Sequence, residues 1–340
     1  MKRILVLLLT AGVVLTGCGK SDTGSTASSN AMSAPASGAK KLTIGLLPKS
    51  KGNAYFVSCA KGAQKAADEL GDTLIFDGPT QTDPGKQNEI VENWINSGVD
   101  VIAVAAENKD GLSTALRKAQ AKGIKVISFD ADVQPDARTY FVNQATPQGI
   151  GYKLMDEAAR LSGNEGEFAI ITASLTAANQ NEWKKYIDED LAKNYPHMKL
   201  VDFRPCDDDK SKAQAEATTL MSAHPNLKLI MAICTPGVPG AAEAVKQAGK
   251  TGTVKVIGLG LPNENKQYVH DGVTYSVILW NTEDLGYLTV QAADALVKGT
   301  LKAGDKSFKV GATTYDIAGD NILLGSPYVF DKNNIDKFDF

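Results

Sequence analysis

Two doubly wound α/β lobes with parallel sheets are the fold class that this sequence predicts, and three observations predict it. Short β-branched runs alternate with amphipathic helical stretches from residue 41 onward. Near-continuous apolar runs such as VIAVAA suit parallel strands covered on both faces. The winding restarts after Asn143 without repeating the sequence itself. Two lobes joined by several strand crossings, a multi-strand hinge, are therefore expected.

In the first series, strands are predicted at 42–47, 73–76, 100–105 and 124–129, with helices at 54–70, 85–97 and 111–122. Gly71, Gly98 and Gly123 stand just past those helices, where a left-handed cap costs glycine least. The second series places strands at 167–172, 199–203, 228–233 and 254–258, and helices at 147–161, 179–193, 210–223 and 238–248. A further strand at 274–280 leads into a helix at 284–298, long enough to pack back on the first lobe. The expected division is 41–143 plus about 281–310 for the N-terminal lobe, 144–280 for the C-terminal lobe, and 311–340 for a tail crossing the hinge.

Residues 1–18, MKRILVLLLTAGVVLTGC, join a basic start, an apolar run and a small-residue cleavage site ending in cysteine. The order resembles a bacterial lipoprotein signal, with Cys18 as the lipidated N-terminus; an ordinary secretory signal with an incidental cysteine is the alternative. The apolar run is shorter than the ~20 residues a bilayer span needs. Residues 19–40 are rich in Ser, Ala, Gly and Thr and read as a flexible tether with an r.m.s. span of ~25 Å. An extracytoplasmic protein, anchored to a membrane through lipid on Cys18 only, is expected.

Composition removes several classes. The net charge of −3 gives no electrostatic case for nucleic acid, and the start of the chain carries a signal and tether where a regulator of transcription would carry a helix-turn-helix. His197, His224 and His270 are too few and too scattered for a zinc site or a histidine-based triad, so neither metal nor cofactor is called for. Beyond Cys18 the cysteines are Cys59, Cys206 and Cys234, an odd number without CxxC spacing, and a Cys206–Cys234 bridge is not the expected state.

Ligands of open α/β sheets bind beyond the carboxyl ends of the strands, so those positions carry the candidate site. After the first strand stand Lys49, Tyr55 and Phe56, an ammonium beside flat apolar faces, which suits the polar edges and C–H faces of a monosaccharide. The competing reading leaves Lys49 in solvent and makes the two aromatics helix anchors. After the fourth strand come Asp130 and Asp132, whose carboxylates can each accept two hydroxyl bonds. An acidic loop or cap is the alternative, and the DxDxDG spacing of a calcium loop is missing. Because the two share one loop, they cannot straddle a glycosidic bond, and no enzyme is expected.

In the second lobe, Asn179 and Gln180 offer both donor and acceptor without the desolvation cost of a charge, although Asn179 could equally cap a helix. Thr235 and Trp280 follow two later strands and complete the candidate set. Gly258-Leu259-Gly260 lacks the third glycine of a dinucleotide fingerprint.

Several segments together carry a resemblance: IGLLPK, FDGPTQTDPGKQ, GVDVIAVAAENKDGL, FDADV, FVNQATPQG, ANQNEW and the closing NNIDKFDF. Across residues 41–340 the chain resembles type I periplasmic solute-binding proteins of sugar ABC transporters, in the branch of rhamnose-binding and autoinducer-2-binding proteins. The resemblance implies two lobes on a three-stranded hinge that close over one small polyol and present the closed form to an ABC permease in the cytoplasmic membrane, the binding protein acting as a monomer. Of the autoinducer-2 ligand set it implies, Lys49, Asp130 and Gln180 match. Asn179 stands where that set has Asp, and Ile233 and Thr235 stand where it has Pro and Ala. With the ANQNEW and QATPQG forms, these departures direct the resemblance toward rhamnose or a related monosaccharide, whose methyl group Tyr55, Phe56 and Trp280 would wall. Autoinducer-2 binding, or a sugar-sensing receptor, is the alternative.

Overall fold

Every parallel strand of the first half ends at the same edge of its sheet, and that edge builds the site. A computed structural model describes residues 40–340; the expected signal, Cys18 and all but the last residue of the tether lie outside the described residues. The first series runs β1 (Thr43–Leu47), α1 (Ala54–Leu70), β2 (Thr73–Phe76), α2 (Pro84–Ser97), β3 (Val101–Val104), α3 (Lys109–Ala121), β4 (Lys125–Phe129) and β5 (Tyr140–Asn143). The second runs α4 (Pro147–Ser162), β6 (Gly166–Thr172), α5 (Ala178–Asn194), β7 (Met198–Pro205), α6 (Lys210–Ala223), β8 (Leu227–Ala232), α7 (Gly237–Gln247), β9 (Lys255–Leu259), α8 (Pro262–His270) and β10 (Thr274–Leu279). The chain closes with α9 (Thr282–Lys298), β11 (Ser307–Val310), β12 (Thr313–Ala318), β13 (Asn321–Leu323) and β14 (Tyr328–Phe330).

Among the described residues these strands make two sheets, ordered β11-β12-β13-β5-β4-β3-β1-β2 and β14-β10-β9-β8-β6-β7. Parallel pairing runs from β2 to β13 in the first and from β7 to β10 in the second. The antiparallel partners β11, β12 and β14 sit at one edge of each sheet. This is the predicted α/β architecture, and its central strands are buried on both faces, as Val101–Val104 shows. The chain passes from the first sheet to the second between Asn143 and Gly166, returns between Leu279 and Ser307, and leaves again between Leu323 and Tyr328. No helix among the described residues is long and apolar enough to cross a membrane.

Helix termini follow the sequence closely. Asn53 caps α1 by accepting the Tyr55 N–H at 2.9 Å, and Gly71 and Gly98 take left-handed caps at φ 77° and 73°. Helix α9 packs on α1 and against β3, β4 and β5. The crossing of α1 and α9 is built on glycine: a Cβ at Gly62 would lie 1.8 Å from the Glu283 carbonyl oxygen, and one at Gly286 would lie 1.8 Å from that of Cys59. No side chain fits there. The backbone contact fixes the N-terminal turn of α1, which carries Tyr55 and Phe56, relative to the second crossing at Trp280 and Asn281.

Candidate functional site

Strand ends from both sheets converge on one small cavity of about 40 Å³. From the first half come Lys49, Asn53, Tyr55, Phe56 and Asp130; from the second, Asn179, Gln180, Trp183, Asp208 and Thr235. Ile233, Leu259 and Leu279 supply apolar wall. Of the nine residues singled out from sequence, this brings seven together.

Asp130 sits at the end of β4 in the left-handed region, φ 58°, unusual for a residue with a side chain and typical of strain kept at a working site. Its own carbonyl is held by Gln144 Nε2 at 3.1 Å, so the first crossing buttresses it. Burial pushes the Asp130 carboxyl above its ordinary range, while the Lys49 ammonium and the Tyr55 hydroxyl pull it back. Tyr55 is driven well above its ordinary range by burial first and by the neighbouring Asp130 charge second. The ring of Tyr55 meets Phe56 edge-on at 5.1 Å, and Phe56 meets Phe129 at 6.3 Å. Aromatic edges, a buried ammonium and a buried carboxylate make this wall.

The facing wall is mostly neutral. Lys49 Nζ donates to Asn179 Oδ1 at 3.2 Å across the gap, and Asn179 Oδ1 also accepts the Gln180 N–H at 3.0 Å. Ala177, not Asn179, is the N-cap of α5, so the capping alternative for Asn179 does not hold. Gln180 Oε1 accepts from Thr172 Oγ1 at 2.6 Å and from the Ala173 N–H at 2.7 Å. Both lone pairs of that oxygen are used, which leaves its Nε2 as the group Gln180 can offer a ligand. Thr235 Oγ1 lies 3.4 Å from Asn53 Oδ1, a second bond between the halves.

Two sequence expectations need correction. Asp132 does not reach the central cavity: Oδ1 accepts from Ser128 Oγ at 2.5 Å, the Val133 N–H at 2.9 Å and Arg138 Nε at 2.9 Å, and Oδ2 accepts from Arg138 Nη2 at 2.8 Å. The buried Arg138 guanidinium, paired also with Asp320 from the β12–β13 turn, takes up this carboxylate. Trp280 stands behind the wall and not in it, donating its Nε1–H to the Tyr55 hydroxyl at 2.8 Å and lying edge-on to Tyr55 and Trp183. It positions the wall.

Asp208 is the principal residue that sequence reading missed. It follows β7 with φ 53°, accepts from Asn53 Nδ2 at 2.7 Å across the gap, and burial raises its carboxyl to about 6 against the opposing pull of Lys49 and Asn53. The signal was present: Asp207-Asp208-Asp209 stands at a strand's carboxyl end, like every other candidate. Trp183, in the ANQNEW segment, and Asn53, the N-cap of α1, also line the cavity without being among the residues singled out from sequence. Cys206 and Cys234 are free thiols, both buried, and Cys234 lines the cavity.

Comparison with known proteins agrees with this geometry. Residues 44–301 match the family described as periplasmic binding protein domain. A D-ribose/D-allose-binding protein of Pseudomonas aeruginosa is 30% identical over 286 residues, covering 80% of this chain and 85% of its own. The crystal structure of an ABC transporter solute-binding protein from Clostridium phytofermentas with bound L-rhamnose superposes with a TM-score of 0.84 at 33% identity, over 88% of this chain and 98% of that one. LsrB from Clostridium saccharobutylicum in complex with AI-2 gives a TM-score of 0.83 at 25% identity, over 88% and 100%. These relatives are named for binding and transport, not for catalysis. With two wound sheets, three crossings and strand ends meeting on a shared cavity, the chain belongs to the periplasmic binding protein domain family.

Proposed function

We propose that this protein is the extracytoplasmic solute-binding component of an ABC sugar importer and that it takes a monosaccharide, L-rhamnose first among candidates. The observation that carries the reading is the meeting of Lys49 and Asp130 from one sheet with Asn179 and Gln180 from the other around a cavity edged by Tyr55, Phe56 and Trp183. Charged acceptors and donors opposite neutral amides, beside aromatic edges, match a ring with hydroxyls on its rim and C–H groups on its faces.

Mechanism follows from the cross-gap bonds. Lys49–Asn179, Asn53–Asp208, Asn53–Thr235 and a Ser174–Glu107 contact at 3.3 Å join the halves directly. The cavity of about 40 Å³ holds a few waters at most, so a sugar enters only when the halves part, and bonds to both walls then draw them together around it. The closed form is favoured by the ligand's differential affinity for it, and this is what a permease would read.

Thermal-shift screening of the purified protein against deoxyhexoses, aldohexoses, pentoses and AI-2 tests the reading, because a ligand bound only by the folded state raises the midpoint by mass action. L-rhamnose is expected to give the largest rise. No rise with any polyol would end it. AI-2 is the second reading, supported by the LsrB likeness and by Lys49, Asp130 and Gln180, with Asn179 and Thr235 against it. Residues 1–18 are proposed to be a lipoprotein signal and Cys18 the anchored residue, which the mass of the N-terminal peptide from membrane-extracted protein would test.

A further inference from the structure

The two cysteines beside the cavity occupy related places. Cys206 follows β7 and Cys234 follows β8, the strands that flank β6, and their sulfurs approach to 3.4 Å over the end of β6. The segments are already tied to β6: the Cys206 N–H donates to the Thr172 carbonyl at 2.8 Å, and the Ile233 N–H to that of Ile171 at 2.8 Å. Asp208 lies two residues beyond one cysteine and Thr235 one beyond the other, and both line the cavity with Cys234. A link between the sulfurs would therefore join the two segments that carry half of the facing wall.

We propose that Cys206 and Cys234 form a modification site, an oxidisable dithiol that a peroxide converts to a disulfide across the end of β6, stiffening the ligand wall. The sulfurs need to close by only about 1.4 Å to reach bonding distance. Cys234, which lines the cavity, attacks one oxygen of hydrogen peroxide as its thiolate; the O–O bond breaks, the other oxygen leaves as water after protonation, and a sulfenic acid remains. The Cys206 sulfur then displaces that hydroxyl, the S–S bond forms and a second water leaves. Each sulfur loses one electron and the peroxide gains two. The contact with the Cys206 thiol, and after it burial, raise Cys234 well above the usual thiol range, so the reduced pair rests as thiols and reacts when the cleft admits the oxidant. An extracytoplasmic setting favours the oxidised state. Cys59, also buried, has no cysteine beside it among the described residues.

The crosslink stands on the sulfur geometry alone, while its effect on ligand rests on the sugar-binding reading. The test treats the full-length protein with hydrogen peroxide, with and without the sugar that gives the largest thermal shift, then alkylates free thiols and maps the peptides. A Cys206–Cys234 disulfide reversed by dithiothreitol is expected, with a rise of about 3 °C or more in the unliganded midpoint. Saturating sugar should slow its formation at least about fivefold by closing the cleft, and calorimetry on the oxidised protein should show affinity changed by about threefold or more. Cys206→Ser and Cys234→Ala should lose every one of these responses. Alkylatable Cys206 and Cys234 after treatment, or sulfinic acid in place of the disulfide, would overturn the site; a disulfide that leaves affinity and sugar protection unchanged would overturn its link to binding. Should no sugar bind at all, the functional reading fails, and the peptide map with the unliganded midpoint still decides the crosslink.

Discussion

The two walls of the cavity use different chemistry for one task. The first, from β1, α1 and β4, puts a buried ammonium and a buried carboxylate against aromatic edges, with strain at Asp130 and a carbonyl prop from Gln144. The second, from the ends of β6, β7 and β8, offers amides and a hydroxyl, with Asp208 as its one carboxylate. Bonds to charged groups are worth about 1.5–3 kcal/mol and neutral ones about 0.5–1.5 kcal/mol, so the first wall should dominate affinity and the second should refine it. Division of this kind lets one wall hold a generic polyol while the other selects among them.

Breaking the first wall should have the largest effect. Asp130→Asn, which keeps the shape and tolerates the left-handed backbone, and Lys49→Ala should each weaken ligand binding at least about tenfold and up to about a hundredfold. Calorimetry measures this; unaltered affinity would remove either residue from the site. Next comes acidity. Burial raises the Asp208 carboxyl to about 6, above its ordinary 3.8, and a ligand hydroxyl donates more strongly to the ionised form than to the neutral one. Lowering the pH from about 7.5 to 5 should therefore weaken binding by up to about tenfold, and Asp208→Asn should flatten the profile. Unliganded stability runs the other way: the raised carboxyl contributes most below its unfolded value, and that contribution is lost as pH climbs through about 6.

On the neutral wall, Asn179→Ala should cost only about three- to fivefold in affinity, because one neutral bond is lost and Lys49 stays next to Asp130. A loss as large as that of Asp130→Asn would erase the distinction between the walls. Smallest of all should be Asp132→Asn, with affinity within about twofold of the parent and a stability loss of about 2 kcal/mol or more from the disrupted Arg138 pair, read by denaturant unfolding.

Most of the winding is legible because each central strand is an apolar run and most helices begin at a capping side chain, as with Asn53 and the closing Gly71 around α1. The tail strands were not. Segments such as Ser307–Val310 and Thr313–Ala318 are short, largely exposed and polar, and become strands only because the first sheet offers them an edge. Helix α8, PNENKQYVH, lacks an apolar stripe and escaped for the same reason. In the candidate site, seven of the nine residues read from strand ends line the cavity, yet nothing in one loop distinguishes Asp130 from Asp132. That choice is made by Arg138 and by Asp320, far along the chain. Asp208 was lost to a boundary: β7 was expected to stop at 203 and continues to Pro205, which carries the triple aspartate to the cavity rim.

The glycine contact between α1 and α9 limits where the molecule can bend. With Gly62 and Gly286 backbone to backbone, α9 cannot slide or tilt without carrying α1 along. On the proposed closure, rotation of the halves at this passage would be absorbed upstream of Thr282, in the few torsions of Leu279, Trp280 and Asn281. Trp280 is itself tethered to the Tyr55 hydroxyl. On the proposed closure, the swing of the cleft and the seating of an aromatic against the guest would share one short length of backbone, so a residue that loosens the joint would also unsettle the pocket.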